Sequence, residues 1–343
     1  MMINGRTLHN RSMRVLSMIL ILVITMVSIT ACSKEQSVTD LMGSYAAADS
    51  IVNDDVGAMM SATFSPLLSD WFICDITEDM LNTTYVFDED NEKKNGAAFV
   101  INRSENELVF GYNILSKMYP ASITKLLTTL VVLENCDVKE TVTIDKTVAA
   151  MKRGSVAELN EGDVISIYNL LIVLLTISAN NAAVALANHV AGSEEAFAEM
   201  MNAEMSKLGN RSSSFKNCSG LHLSDHYTTP YDMYIVFQEC MKYDSFRSIM
   251  KLIEGEYEYT NAAGEQCVRK YQTTNCFKNG KYEYPENLTI LGGKTGTTDY
   301  AGYCIMLLVQ SDSGTEYIIG IYNCATEEKL YTKAAELMTQ YCK

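Results

Sequence analysis

The chain has 343 residues, 48% of them hydrophobic, with 27 Lys+Arg against 42 Asp+Glu and a net charge of −15. An acidic chain with no basic cluster is a poor match for phosphate backbones, so no nucleic-acid partner is expected. Ten cysteines with no C-x-x-C, and four histidines (His9, His189, His222 and His226) in no ligand-like spacing, argue against a zinc site. No metal and no cofactor is expected.

The N-terminus carries Arg6, Arg11 and Arg14 and no acidic residue for over thirty positions, then an apolar run from Val15 to Val27 broken only by Ser17 and Thr25. A basic start, an apolar core and a small-residue exit make a bacterial export signal over residues 1–31. The run is short for a membrane span. Its ending, Ile29-Thr30-Ala31-Cys32, resembles a lipobox, which would make Cys32 a diacylated N-terminus and give stable anchoring. An ordinary cleaved signal or an uncleaved anchor is the plainer alternative. The expected location is the outer face of the bacterial cytoplasmic membrane, reached as a lipoprotein. Loss of the three leader arginines leaves 24 basic against 42 acidic residues, a net of −18. Without Cys32 nine cysteines remain, best read as small buried apolar residues. A Cys267–Cys276 bridge across a hairpin is left open.

Residues 32–95 are weakly patterned, with the acidic Asp88-Glu89-Asp90 and the polar run Asn91 to Asn95, and are expected to be a tether and lead-in. The apolar patch Leu67 to Ile73 suggests that part of it docks on the main body. Residues 96–343 form the expected working domain. Ala97 to Arg103 and Leu108 to Tyr112 read as a hairpin around Ser104-Glu105-Asn106-Glu107. After Pro120, Leu126, Leu127, Leu130 and Leu133 recur at helix spacing. Residues 164–191 read as helices interrupted near Ser178. Phe197 to Leu208 is a helix closed by Gly209, and Tyr231 to Met241 one opened by Thr229-Pro230. From about 257 the texture turns to Tyr, Thr, Val and Gly, with strands expected around 257–260, 267–275, 288–294, 302–310 and 316–322. An amphipathic helix over 326–341 closes the chain. A strand pair, helices, strands and a helix make an α+β domain with a helical insert.

Three motifs stand in one order: Ser122-Ile123-Thr124-Lys125, Ser178-Ala179-Asn180 and Lys294-Thr295-Gly296. Each alone is permissive. S-x-x-K recurs at Ser213–Lys216 and Ser248–Lys251, and S-x-N at Ser104–Asn106. Those copies fall in a polar loop, mid-segment and on a hairpin tip. Ser122 and Lys125, three apart, share a helix face beside unpaired N–H groups. Burial among Ile123, Leu126 and Leu127 would lower the Lys125 pKa, so that it can take the serine proton. Ser178 and Asn180 sit at a helix break. The hydroxyl could pass a proton between Lys125 and a leaving amine, and the amide could hold Lys125 or a substrate carbonyl. A polar helix kink is the bland alternative. Leu291 to Thr298 reads as an edge strand whose small residues, Gly296 among them, let an extended peptide lie alongside. Lys294 would add positive potential, and Thr295 and Thr297 hydroxyls would hold a carboxylate. The N–H groups of Ser122 and Thr297 would form an oxyanion hole. A flexible Gly-rich hairpin is the alternative.

With Tyr119 to Thr128, Ser178 to Ala183, Ser219-Gly220-Leu221, Tyr227-Thr228-Thr229 and Gly292 to Thr298, the chain resembles the D-alanyl-D-alanine carboxypeptidases. These are low-molecular-mass penicillin-binding proteins of serine peptidase family S11. The resemblance runs from about Ala97 to the C-terminus. It implies a β-lactamase/transpeptidase-like α+β fold, with a five-stranded antiparallel sheet flanked by helices and an all-helical lobe carrying Ser178. It implies Ser122 as nucleophile, Lys125 as base, Ser178 and Asn180 as relay, and Lys294 as electrostatic partner. The implied substrate is the peptidoglycan stem peptide, with β-lactams as covalent inhibitors. Two departures stand out. The chain ends at Lys343, where many relatives continue into a β-rich domain and a C-terminal membrane helix, so the Cys32 lipid would replace that anchor. No arginine follows Arg269, leaving Lys294 and the threonines to bind the substrate carboxylate. A class A-like β-lactamase is a competing function, weakened because Glu158 precedes the second motif instead of following it. A non-catalytic wall-binding lipoprotein is another.

Overall fold

The computed structural model describes residues 96–209 and 212–343. The expected leader, Cys32 and the 32–95 tether lie outside the described residues. β1 (Ala97–Asn102) and β2 (Glu107–Tyr112) form the expected hairpin, turned by Asn106 with a left-handed φ of 57°. Every residue of β1 is buried, because β1 lies inside a sheet rather than at its edge.

After β2 the chain makes a 3-10 turn over Ala121–Thr124 and continues into α1 (Lys125–Asn135). A short strand β3 (Thr141–Thr143), a one-turn helix α2 (Lys146–Ala149) and β4 (Val164–Ser166) follow. Then come α3 (Ile167–Thr176), α4 (Asn180–Ala191) and α5 (Glu194–Lys207). Next are α6 (Pro230–Cys240), α7 (Asp244–Met250), β5 (Glu254–Thr260) and β6 (Gln266–Gln272). The chain closes with β7 (Leu288–Thr298), β8 (Gly302–Ser311), β9 (Glu316–Cys324) and α8 (Glu327–Tyr341).

The main sheet is five-stranded and antiparallel, in the order β2-β1-β9-β8-β7. Strand alternation sends Ala97, Phe99 and Ile101 to one face and Ala98 and Val100 to the other. The second face is covered by α8 through Leu330, Tyr331, Ala334, Leu337 and Met338. The first carries a larger core built with α1, α3, α4 and α6. This is the expected α+β architecture, and β7 stands at one edge, paired by β8 on one flank only.

Local chemistry explains the helix starts. Ser166, Ser193, Thr229 and Thr326 each accept a backbone N–H two or three residues into α3, α5, α6 and α8, and Pro230 opens α6. No side chain caps α1 or α4. These are the helices that open at Lys125 and Asn180, so their first N–H groups are left for other partners.

One expectation needs correction, and one alternative left open by the sequence is decided. The strands read near 257–260 and 267–275 exist, but they belong to a separate four-stranded antiparallel sheet, ordered β3-β4-β5-β6, and β6 ends at Gln272. The strands β3 and β4 are three residues long, too short to display a period. Cys267 and Cys276 are not bridged, since all eight cysteines among the described residues are free and six of them are buried.

Candidate active site

The site begins with a turn that the backbone must strain to make. Pro120 fixes the approach, Ala121 adopts φ 46°, and the 3-10 turn presents Ser122 just before α1. A left-handed non-glycine residue costs on the order of 1–3 kcal/mol and persists only where its surroundings enforce it. Here Gly220, at φ +84°, packs so closely that an added Cβ would lie 1.8 Å from the Ala121 carbonyl oxygen. The loop bearing Gly220 is itself wound around Asn217, whose side-chain oxygen accepts from the N–H groups of Ser219 and Gly220. Thr128 donates to the Cys218 carbonyl and ties that loop to α1.

Lys125 is completely buried. Its Nζ lies 2.9 Å from Ser122 Oγ, 2.7 Å from Asn180 Oδ1 and 2.6 Å from the Ser219 carbonyl oxygen. No carboxylate forms an ion pair with it among the described residues. Burial pulls its pKa down to about 7, partly opposed by the nearby Cys218. Asn180 is fixed from its other end, where Nδ2 donates to the Arg153 carbonyl at 3.0 Å. Of its two expected roles, the geometry matches holding Lys125.

Ser178 lies between α3 and α4 at φ 66°, the second left-handed non-glycine residue of this site after Ala121. Its hydroxyl receives a hydrogen bond from Lys294 Nζ at 2.9 Å, and Lys294 also donates to the Thr295 carbonyl at 2.6 Å. Lys294 is likewise fully buried, and burial, with the charge of Lys125, depresses its pKa well below the usual range. The structure therefore makes two linked pairs: Ser122 with Lys125 and Asn180, and Ser178 with Lys294. They meet because Ser178 and Asn180 are two residues apart and because β7 packs on the 3-10 turn. That contact requires Gly296, where a Cβ would lie 2.9 Å from the Ser122 nitrogen and 3.0 Å from the Pro120 oxygen.

The expected carboxylate-binding hydroxyls divide. Thr295 Oγ1 is 2.7 Å from Thr274 Oγ1, while Thr297 is exposed at the end of β7. The decoy motifs stay apart from this centre. Ser213 hydrogen-bonds Asp232 and Thr228, and Ser248 lies within α7. Sequence reasoning assigned no role to the Ser219 carbonyl, Thr274 or His226. His226 is buried and held neutral, its pKa lowered to about 4 by burial. Its Nδ1 accepts from the Lys216 N–H, so Nε2 carries the proton and donates to Thr124 Oγ1 at 2.9 Å, directly behind the turn that bears Ser122.

An antiparallel five-stranded sheet with helices on both faces, a helical lobe, and a Ser–Lys pair facing a lysine-bearing edge strand define the β-lactamase/transpeptidase-like class. The crystal structure of the Streptomyces K15 DD-transpeptidase superposes with a TM-score of 0.65 at 22% identity, over 71% of this chain and 94% of that one. The D-alanyl-D-alanine carboxypeptidase of Mycobacterium tuberculosis gives 0.62 at 23%, over 71% and 89%. Within that class the family is defined by sequence: residues 85–320 match the model of the S11 peptidases, D-alanyl-D-alanine carboxypeptidase, and the chain belongs to this family. It is 33% identical over 213 residues to D-alanyl-D-alanine carboxypeptidase DacF of Bacillus subtilis, covering 61% of this chain and 52% of the relative. It is 28% identical over 238 residues to DacC of Escherichia coli, covering 66% and 56%. The D-alanyl-D-alanine endopeptidase of Escherichia coli matches at 26% over 227 residues, 63% of this chain and 67% of that one. The chain thus spans little more than half the length of the curated carboxypeptidases it matches first.

Proposed function

We propose that this chain is a serine-type D-Ala-D-Ala carboxypeptidase that trims the terminal D-alanine from peptidoglycan stem peptides and is acylated by β-lactams. The observation that carries this reading is the coordination of buried Lys125. Asn180 Oδ1 and the Ser219 carbonyl can only accept, so they use two N–H bonds of the amine. The third neighbour, Ser122 Oγ, is a hydroxyl that can itself donate. A neutral amine has two N–H groups and one lone pair, which matches this set, with the lone pair toward the serine proton.

In the reaction, Lys125 takes the Ser122 proton as Oγ attacks the carbonyl of the D-Ala–D-Ala bond. The N–H groups of Ser122 and Thr297 receive the oxyanion. Ser178, held by Lys294, relays the proton from Lys125 to the departing amine, regaining one proton as it gives one up, so that free D-alanine leaves and Lys125 is neutral again. Water then cleaves the ester and regenerates Ser122. Lys294, Thr295 and Thr297 hold the terminal carboxylate, with Thr274 beside Thr295 as an added hydroxyl. The one-sided edge of β7 supports binding of the peptide as an extra strand. Residues 96–343 are the catalytic domain in this reading. Residues 1–31 direct export, and lipid on Cys32 anchors the enzyme to the outer face of the cytoplasmic membrane.

A β-lactamase would need a carboxylate to activate the deacylating water. Glu158 is exposed and lies 3.7 Å from Arg269, a residue of β6 in the second sheet, which speaks against that role. The test is direct. Purified protein is incubated with a pentapeptide ending in D-Ala–D-Ala, and the product is weighed. Loss of one alanine, and fluorescent-penicillin labelling that disappears in Ser122→Ala, are expected. An unchanged pentapeptide together with labelling that survives Ser122→Ala refutes the reading, and fast nitrocefin turnover would favour the β-lactamase.

A further inference from the structure

Far from the active site, the fold collects three side chains that the sequence scatters. Cys136 is the residue that ends α1, Glu140 lies in the turn before β3, and His189 is in the last turn of α4. Their ligand atoms, Cys136 Sγ, a Glu140 carboxylate oxygen and a His189 ring nitrogen, all lie within 4.8 Å of one another. His189 Nε2 is already 3.3 Å from Glu140 Oε2. With metal–ligand bonds of about 2.0–2.3 Å, donors around a tetrahedral ion stand about 3.3–3.6 Å apart, so the cluster needs only a modest contraction to close on one.

We propose that Cys136, Glu140 and His189 form a binding site for a zinc-like divalent cation, with water in the fourth position. The donor set is one sulfur, one nitrogen and one oxygen, which suits a borderline-soft ion and discriminates against magnesium and calcium. Glu140 is already oriented to serve as a ligand, because its Oε1 accepts from the Asp137 N–H at 2.7 Å and leaves Oε2 toward His189. That is the kind of outer contact that fixes a metal-binding carboxylate. A divalent cation satisfies thiolate and carboxylate together. Glu140 and His189 are exposed, so an ion can enter from solvent.

The position gives the site a purpose. α1 starts at Lys125 and α4 starts at Asn180, and the two helices pack against each other. An ion at their C-terminal ends would pin this helix pair about 16–18 Å from the end where those two residues meet. The site is thus a structural clamp on the helices that carry Lys125 and Asn180, independent of which reaction they serve.

The test uses the full-length protein, reduced and stripped of metal with chelator. Calorimetric titration with zinc chloride is expected to show one equivalent bound with a micromolar or tighter Kd. Cobalt(II) in its place is expected to give a thiolate-to-metal charge-transfer band. Cys136→Ser should abolish that band, and Cys136→Ser and His189→Ala should each weaken zinc binding by about tenfold or more. Cys267→Ser, at the other partly exposed described cysteine, should leave both unchanged. Zinc at a hundredfold excess over Kd should raise Tm by about 5–10 °C in the parent and not in His189→Ala. Absence of saturable zinc binding overturns the proposal, as does a cobalt band that survives Cys136→Ser. Should Cys136→Ser fail to fold, the zinc affinity and Tm shift of His189→Ala and Glu140→Gln decide the matter in the same way.

Discussion

In the proposed reaction, Lys125 concentrates the chemistry in one titration. Its proton must be absent for it to accept another, and burial brings its pKa to about 7. The second-order rate of penicillin acylation is therefore expected to climb with pH through about 7 and level off above it, in stopped-flow or label-quench measurements. Lys125→Arg places a permanently charged guanidinium there and should reduce acylation by about 10²–10⁴-fold without a rising limb. The same shift has a thermodynamic signature. Unfolded Lys125 keeps its proton up to its ordinary pKa of 10.5, while the folded site releases it near 7. Between those values the unfolded state binds more protons, so this group makes stability rise with pH. Urea denaturation from about pH 7 to 10 should show a flatter rise in Lys125→Met than in the parent. The residue scale also shows what sequence can and cannot reveal. Ser122, Lys125, Ser178, Asn180 and Lys294 were legible because side-chain chemistry in fixed order leaves a signature. The Ser219 carbonyl was not, because a backbone acceptor can be supplied by any residue type. Gly220 is visible as a letter but its reason is spatial: Gly220→Ala would force a Cβ onto the Ala121 oxygen at φ +84°. It should cost more than ~2 kcal/mol in urea unfolding and lower penicillin labelling at the same time.

Elements were readable where they are long and periodic, or opened by a Ser or Thr. α1, α3 to α6, α8 and β7 to β9 all fall close to their expected places. The short pieces were not readable: β3 and β4 bury one residue each at the strand centre, and α7 spans seven residues, about two turns. Which sheet a strand joins was also hidden, because β5 and β6 carry the same Tyr, Val and Thr texture as the main sheet while pairing only with each other and β4. What holds α7 in place is likewise a contact with no local signal. Lys278 reaches the carbonyls of Met250 and Lys251 at the end of α7 and of Leu291 in β7, at 3.1, 2.7 and 3.3 Å. It links the end of a helix to the edge strand. Lys278→Met removes the donor and leaves those carbonyls short of partners. A loss of about 1–3 kcal/mol is expected, with faster hydrogen exchange concentrated in α7 and the first half of β7.

For the whole molecule, thiol chemistry reports on packing. Among the eight described cysteines, Cys136 and Cys267 are partly exposed and the rest are buried. Brief alkylation of the folded protein followed by peptide mass mapping should modify those two first, and the remaining six only after unfolding. Rapid labelling of Cys218, Cys240 or Cys304 would mean that the core opens more readily than its packing implies. The order of strands and helices pointed to the α+β class, but not to the arrangement in which two buried lysines share one centre with no carboxylate ion-paired to either among the described residues.

The flank of β7 that faces away from β8 has one more implication. On the proposed reading that flank takes up an extended peptide, and backbone pairing by itself does not distinguish such a peptide from the same strand in another molecule. Crowded, unliganded protein should scatter more light with time than protein whose Ser122 carries a bulky penicilloyl group. A penicillin that acylates Ser122 would then also act as a solubilising plug for the protein.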